Sequence, residues 1–209
     1  KNTNYCWKRC RCTVGKEPNA QVFAAEHALL AKLNSIEAKK TGLELYYFDE
    51  SGFSLRPVVP YAWQPKGQTL RLPSAASPRL NVLGFFSKTQ PAFFQQTETT
   101  VNSQTVIAAF NAFAAQQDDG KTWRMVVVDN APIHHSHAFR DCMEDWMLKR
   151  LLIHYLPAYC PELNLIEIVW RRIKYQWLPL TSYSNFSILK KNVTHILQNI
   201  GQKYCLTFA

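Results

Sequence analysis

The chain has 209 residues, of which 47% are hydrophobic and 19% are charged, and this balance excludes a disordered or collagen-like protein. Its 24 basic and 15 acidic residues give a formal net charge of +9, which favours an anionic partner such as nucleic acid. No run approaches the roughly 20 apolar residues of a membrane span, and no signal peptide opens the chain. We therefore expect no membrane association.

The pattern of apolar residues and breakers predicts strands followed by alternating helices and strands. In chain order the predicted elements are a helix over 20–40, strands over 43–49 and 53–59 joined by a turn at 49–52, strands over 79–86 and 92–97, a helix over 102–117, a strand over 123–129, a helix over 136–149, a strand over 151–155, and helices over 161–177 and 185–200. Strands in series favour antiparallel pairing, and strands that alternate with helices favour parallel pairing. The predicted fold is α/β, with a mixed sheet flanked by helices.

The six cysteines are too sparse for the disulfide framework of a small secreted domain, so the sequence favours a reducing compartment. Cys6, Cys10 and Cys12 could ligate a soft metal, but no second cysteine pair follows at the spacing of a zinc site. Free thiols are the preferred interpretation.

Three carboxylates lie beside or within apolar segments, where burying a charge is costly in free energy. Asp49 ends the first predicted strand, Asp129 follows a run of three valines, and Glu167 lies inside an apolar helix. A buried acid needs a partner or a metal, and three converging carboxylates suit Mg²⁺ or Mn²⁺. Two such ions can activate a water or a 3′-hydroxyl for phosphoryl displacement. On position alone a plainer interpretation stays open, in which the strand-end acids meet solvent and Glu167 pairs with Arg171 on its helix.

Four sequence blocks carry a family resemblance. They are YYFDESGFSL (46–55), WQPKG (63–67), VVVDNAPIHHS (126–136) and LPAYCPELNLIEIVWRRIK (156–174). In this order they resemble the catalytic domain of a mariner-superfamily DDE transposase, with the greatest similarity to its bacterial insertion-sequence branch. The resemblance covers residues 43–178.

The resemblance implies a ribonuclease-H-like fold and a catalytic, metal-binding triad of Asp49, Asp129 and Glu167. The last two acids are separated by 37 residues, close to the spacing of the family. It implies two Mg²⁺ or Mn²⁺ ions, cleavage of DNA at element ends, and transfer of the freed 3′-hydroxyl to target DNA. It also implies a homodimer in the active complex, working in the bacterial cytoplasm at the nucleoid.

The same resemblance assigns supporting residues. Asn130 and His134 are expected close to the active site, and Asn164, three residues before Glu167, is expected on the same helix face as that acid. A turn role for Asn130 and His134 is an equal alternative. The residues predicted to contact DNA are Lys66, Arg171, Arg172 and Lys174. A zinc site at His134, His135 and His137 is disfavoured, because the family pattern accounts for that segment.

The chain departs from the family at its N-terminus, where relatives carry helix-turn-helix domains. We expect residues 1–42 to form a linker and entry helix, 43–180 the catalytic domain, and 181–209 a C-terminal helical extension. The start at Lys1 suggests a truncated or split product. Three alternatives remain open: an inactive remnant that binds DNA non-specifically, a stand-alone ribonuclease-H-like nuclease, and a zinc-dependent interaction protein.

Overall fold

The computed structural model describes residues 19–39, 42–56, 66–67, 78–116 and 120–206. Its strands are β1 (Leu43–Phe53), β2 (Leu80–Phe86), β3 (Phe93–Thr97), β4 (Trp123–Val128) and β5 (Leu151–Tyr155). They form one sheet in the order β3-β2-β1-β4-β5. The pairs β1–β2 and β2–β3 are antiparallel, and β1–β4 and β4–β5 are parallel. The predicted change from antiparallel to parallel pairing is confirmed.

Three of the α-helices in the described ranges begin after an asparagine cap. The α-helices of these ranges are α1 (Ala20–Ala38), α2 (Ser103–Ala114), α3 (His137–Asp141), α4 (Met143–Leu148), α5 (Ile166–Arg172) and α6 (Phe186–Gln198). Asn19, Asn102 and Asn185 precede α1, α2 and α6, and each side chain accepts a backbone N–H of the first turn. An asparagine cap satisfies a donor that the helix itself leaves unpaired. The three predicted helices at these positions are confirmed.

Strand β1 is longer than predicted, and the turn at 49–52 is wrong. The chain continues straight through these residues because Asp49, Glu50, Ser51 and Gly52 all pair with residues of β2. Polar residues that favour turns can thus lie in a strand when a neighbouring strand pairs with them. A second strand over 53–59 is wrong at Phe53, which ends β1, and residues 57–59 lie outside the described ranges.

Two predicted helices are interrupted. The segment 136–149 divides into α3 and α4 at Cys142, so that both Phe139 and Trp146 pack against Phe110. The segment 161–177 divides into a 3₁₀ turn (Pro161–Leu163), α5 and a π-helical turn (Ile173–Trp177). Asn164 is extended, at φ −86° and ψ 100°, and separates the first two. Tertiary contacts thus override the local helical pattern.

The sheet is covered on both faces, and alternate residues of each strand serve different cores. One face packs against α2, α3 and α4 through an aromatic cluster that includes Phe48, Phe85, Phe110, Phe113 and Trp146. The opposite face packs against α1, α5 and α6 through Leu45, Tyr47, Val127, Trp170 and Val193. Gly84 of β2 lets α5 approach closely, since a Cβ there would lie 2.8–2.9 Å from Trp170 and Ile166.

Several sequence predictions fall outside the described part of the chain. They concern Cys6, Cys10 and Cys12, residues 1–18 of the predicted linker, and residues 63–65 of the WQPKG block. The cysteines that are described, Cys142, Cys160 and Cys205, are free thiols. None of the helices in the described ranges is long and apolar enough to cross a membrane.

Candidate active site

Asp49 and Asp129 lie beside one another on neighbouring parallel strands. Tyr47 of β1 pairs with Val127 of β4, and each acid follows two residues further along its strand. Asp129 comes directly after β4, as predicted, but Asp49 lies within β1 rather than at its end. The carboxyl edge of parallel strands is where α/β sheets bind their ligands.

Glu167 reaches the same region from α5. This helix packs on Gly84, which is the pairing partner of Asp49 in β2. The charge of Glu167 acts on Asp49, and the charge of Asp129 acts on both other acids. The three predicted acids are therefore electrostatically coupled.

Asp49 is a partly buried carboxyl group with little compensation for its charge. The indole Nε1 of Trp170 donates a hydrogen bond to its Oδ2 at 3.1 Å. Burial and the negative charges of Glu167 and Glu50 raise the pKa of Asp49 to about 8. Without an added positive charge, this site favours the neutral acid.

Asp129 is well compensated. Its Oδ1 lies 3.2 Å from Nε2 of His134 and accepts the N–H of Ala131 at 3.0 Å. Burial alone would raise the pKa of Asp129, but these contacts outweigh it and hold the pKa below its usual range. His134 is 1% exposed, and the Tyr155 hydroxyl donates to its carbonyl oxygen at 2.8 Å. The His134 ring is thus held against Asp129.

The charge of Glu167 interacts with Lys174, which lies one helical turn beyond Arg171. Burial raises the pKa of Glu167, the positive charge of Lys174 opposes that rise, and Asp129 adds to it. Glu167 and Arg171 form no ion pair. The plainer interpretation of Glu167 as half of a helix salt bridge is therefore wrong.

Asn164 has a different position from the one predicted. It lies before α5 rather than on the helix face of Glu167. Its Nδ2 donates to the carbonyl oxygen of Phe48 at 2.9 Å, and its own carbonyl oxygen accepts the N–H of Glu167 at 3.1 Å. Asn164 thus connects the residue before Asp49 to the residue that supplies the third acid. Its Oδ1 is buried and has no hydrogen-bond partner.

The remaining predicted residues divide into two groups. Arg171 and Lys174 line a cavity of about 640 Å³ together with Glu167. The side chain of Arg172 instead contacts Gln176, and the exposed Asn130 contacts His135. Asn130 follows Asp129 in the chain, but its side chain bonds to His135 rather than to an acid. Lys66 is exposed in a described segment of only two residues.

Sequence reasoning missed two contributors to the site. Trp170 is a core residue, yet its indole N–H is also the donor to Asp49. Its position three residues after Glu167, combined with the need of a buried indole for an acceptor, is a usable signal. Glu50 is a second carboxylate with a buried, unpartnered Oε1, and no sequence signal distinguishes it from a surface acid.

The positions of the acids do not form a complete set of metal ligands. Across the described ranges, no three His, Cys, Asp or Glu side chains are grouped as they would be around a metal ion. The donor chemistry nevertheless fits a hard divalent cation, because carboxylate oxygens are its preferred ligands and the charges of these acids repel one another at this edge. The unpartnered Oε1 of Glu50 and Oδ1 of Asn164 add to the oxygen-rich surroundings.

The mixed sheet and its acidic edge define an α/β domain of the ribonuclease-H-like class. Residues 44–190 match the family described as DDE superfamily endonuclease. The chain belongs to this family and is an endonuclease-type enzyme. A comparison with curated protein sequences found no match.

Solved structures confirm the fold. A Mos1 mariner paired-end complex with Mn is similar at a TM-score of 0.58 and 18% identity, covering 94% of this chain and 60% of that one. The Mos1 catalytic domain alone is similar at a TM-score of 0.53 and 17% identity, covering 89% and 85%. A simian T-cell lymphotropic virus intasome is similar at a TM-score of 0.54 and 12% identity, covering 79% and 51%. The chain thus spans about 60% of the paired-end Mos1 protein.

Proposed function

We propose that this chain is the catalytic domain of a DDE transposase, which cleaves DNA strands at element ends and transfers the freed 3′-hydroxyl to target DNA. The observation that carries the proposal is the partly buried Asp49 carboxyl, which lies beside Asp129 on parallel strands and is coupled to the charge of Glu167. Family membership supports the endonuclease chemistry. The fold likeness to Mos1, whose structures include a strand transfer complex, supports transposition.

The proposed metal ligands are Asp49, Asp129 and Glu167. When bound there, two Mg²⁺ or Mn²⁺ ions supply an activated water or 3′-hydroxyl and stabilise the leaving oxygen. Mos1 complexes have been crystallised with Mg and with Mn. Divalent metal use fits the donor set of this chain, and the count of two ions is part of the proposal.

The surrounding residues orient the acids. His134 holds the Asp129 carboxylate, and Trp170 holds one oxygen of Asp49. Asn164 keeps the start of α5 against β1, so the spacing between Asp49 and Glu167 depends on it. Partners that fix the ligands of a metal site in this way affect affinity and rate without touching the metal.

The DNA strand would enter beside Glu167. Arg171 and Lys174 line the cavity there, and the net charge of +9 favours a polyanion. Lys66 and Arg172 are proposed as more distant phosphate contacts. Association with DNA is therefore expected to weaken steeply with added salt.

The wider assembly is also a proposal. We expect a homodimer on paired ends, helix-turn-helix domains that recognise those ends, and action at the bacterial nucleoid, as in the insertion-sequence branch. The division into residues 1–42, 43–180 and 181–209 stays a prediction. Structures titled as paired-end complexes of Mos1 support the DNA partner.

A remnant that binds DNA without cutting it is the second candidate. The observation in its favour is that no complete group of metal ligands is present in the described residues. Nicking of supercoiled plasmid in Mg²⁺ or Mn²⁺ separates the two functions.

The plasmid assay compares the unmodified chain, Asp129→Ala and a control, Asp141→Ala. Asp141 is an exposed acid at the end of α3, so its loss removes one charge away from the site. We expect metal-dependent nicking by the unmodified chain and the control, and none by Asp129→Ala with an unchanged circular dichroism spectrum. Equal nicking by Asp129→Ala would refute the triad. Absence of nicking even after an N-terminal DNA-binding region is supplied would favour the remnant.

A further inference from the structure

Arg79 lies directly over the backbone of Gly52. A Cβ built on Gly52 would be 1.9 Å from Nε and 2.2 Å from Nη2 of Arg79, so the guanidinium fills the space that a side chain would take. Gly52 belongs to β1 and pairs with Asn81 of β2. The position of the Arg79 guanidinium therefore depends on the absence of a side chain at residue 52.

Lys174 is near enough to this arginine for their charges to interact. Its Nζ is 5.4 Å from the ring centre of Phe53, the residue that follows Gly52. Burial lowers the pKa of Lys174, Glu167 opposes this, and the positive charge of Arg79 lowers it further. The two cations thus repel each other next to the acid cluster.

Neither cation is neutralised by an ion pair within the described residues. Glu98, which shares a cavity lining with Arg79, instead pairs with Lys190 at 2.6 Å. Glu50 lines the same cavity, but its Oε1 has no hydrogen-bond partner. Arg79 is exposed and Lys174 is half-buried, and two cations whose charges interact without an ion-pair partner favour the approach of an anion.

We propose that Arg79, positioned by Gly52, binds a phosphodiester of the DNA strand that enters the acid cluster next to Lys174. The inference rests on the proposed function, because it assumes a DNA substrate. It assigns to Gly52 a specific task, which is to leave room for the guanidinium. An arginine fits a phosphate well because its planar group donates two parallel hydrogen bonds.

The test measures binding of a fluorescein-labelled DNA duplex by anisotropy over a series of salt concentrations, with EDTA present to prevent cleavage. The proteins are the unmodified chain, Arg79→Ala, Gly52→Ala, the double variant and a control, Lys149→Ala. Lys149 is an exposed cation at the end of α4, before β5 begins, and its loss removes the same charge.

We expect Arg79→Ala to weaken binding roughly five- to tenfold at low salt and to reduce the slope of log K against log salt by about 0.9. Gly52→Ala should reproduce both changes without lowering the melting temperature, because only the flexible end of Arg79 must move. The double variant should bind as weakly as either single variant, and Lys149→Ala should match the unmodified chain.

Two results would overturn the inference. One is DNA binding by Arg79→Ala with unchanged affinity and salt slope. The other is a double variant that binds DNA more weakly than Arg79→Ala by as much as Gly52→Ala binds more weakly than the unmodified chain. The plasmid assay keeps this result separate from the proposed function. Normal nicking with unchanged binding by Arg79→Ala would reject the phosphate contact alone. Loss of binding by Arg79→Ala, with no nicking by the unmodified chain even when the N-terminal region is supplied, would support the contact and reject the nuclease.

Discussion

Asp49 and Asp129 lie on adjacent parallel strands, yet their surroundings have opposite effects. Asp129 is half-exposed and accepts hydrogen bonds from His134 and Ala131, which hold its pKa below the usual range. Asp49 is partly buried beside other acids, and its pKa is raised to about 8. One carboxylate is a stable anion by itself, whereas the other is costly as an anion.

This difference assigns the two acids separate tasks in the metal-free protein. Asp129 is oriented by protein donors before any ligand arrives, so it offers a formed anion at the strand edge. Asp49 retains repulsion that a bound cation would relieve, which couples its ionisation to metal binding. Asp129 therefore offers an oriented anion, and the repulsion at Asp49 favours binding of a cation.

The largest expected effect is on stability, and it has opposite signs at the two acids. The pKa of Asp49 is raised in the folded state. Its contribution to the free energy of unfolding is therefore full below pH 3.8 and is lost as pH rises towards about 8. Asp49→Asn should therefore raise the melting temperature near pH 8 in EDTA. The corresponding gain in the free energy of unfolding is on the order of a few kcal/mol. At pH 4 this gain should vanish, because the unmodified side chain is also neutral in the fold.

Asp129→Asn is the matched comparison. The pKa of Asp129 is lowered in the fold, so its stabilisation is present at neutral pH and lost as pH falls below the usual range of an aspartate. This variant should lower the melting temperature near pH 8, and Mn²⁺ should raise that of the unmodified chain. A pH-independent difference for Asp49→Asn, or the same sign for both variants, would contradict the contrast.

His134→Ala should have the next largest effect, on the Asp129 side. Removing the donor that orients the carboxylate should lower plasmid nicking about 10–100-fold, equivalent to roughly 1.4–2.7 kcal/mol. His137→Ala is the control, because His137 is an exposed histidine three residues further on. Equal nicking by both variants would show that the His134 contact is structural only.

Gly84→Ala tests the Asp49 side and should have the smallest effect. The added methyl would meet Trp170 and Ile166 at 2.8–2.9 Å, which pushes α5 away from β2. We expect a loss of about 1 kcal/mol in the free energy of unfolding, measured by urea denaturation. Combining it with Ile166→Val, which removes the Cδ1 methyl, should recover part of the loss. No recovery would place the strain elsewhere.

Much of this fold follows from local sequence signals. The apolar spacing predicted α1, α2 and α6, and the valine run predicted β4. The turn at 49–52 was wrong because β2 supplies hydrogen-bond partners to polar residues that favour turns in isolation. The single helix over 161–177 was wrong because Asn164 bonds to the backbone of β1, which no local pattern reveals.

By itself, the sequence determined the strand and helix order, the positions of the three acids and the positive charge, because each depends on residue type and spacing. Only the tertiary structure decided the environments of those acids. Which carboxylate is compensated depends on groups distant in the chain, such as the Trp170 donor to Asp49. The placement of Arg79 over Gly52 has the same origin, since paired strands bring together atoms that spacing along the chain does not relate.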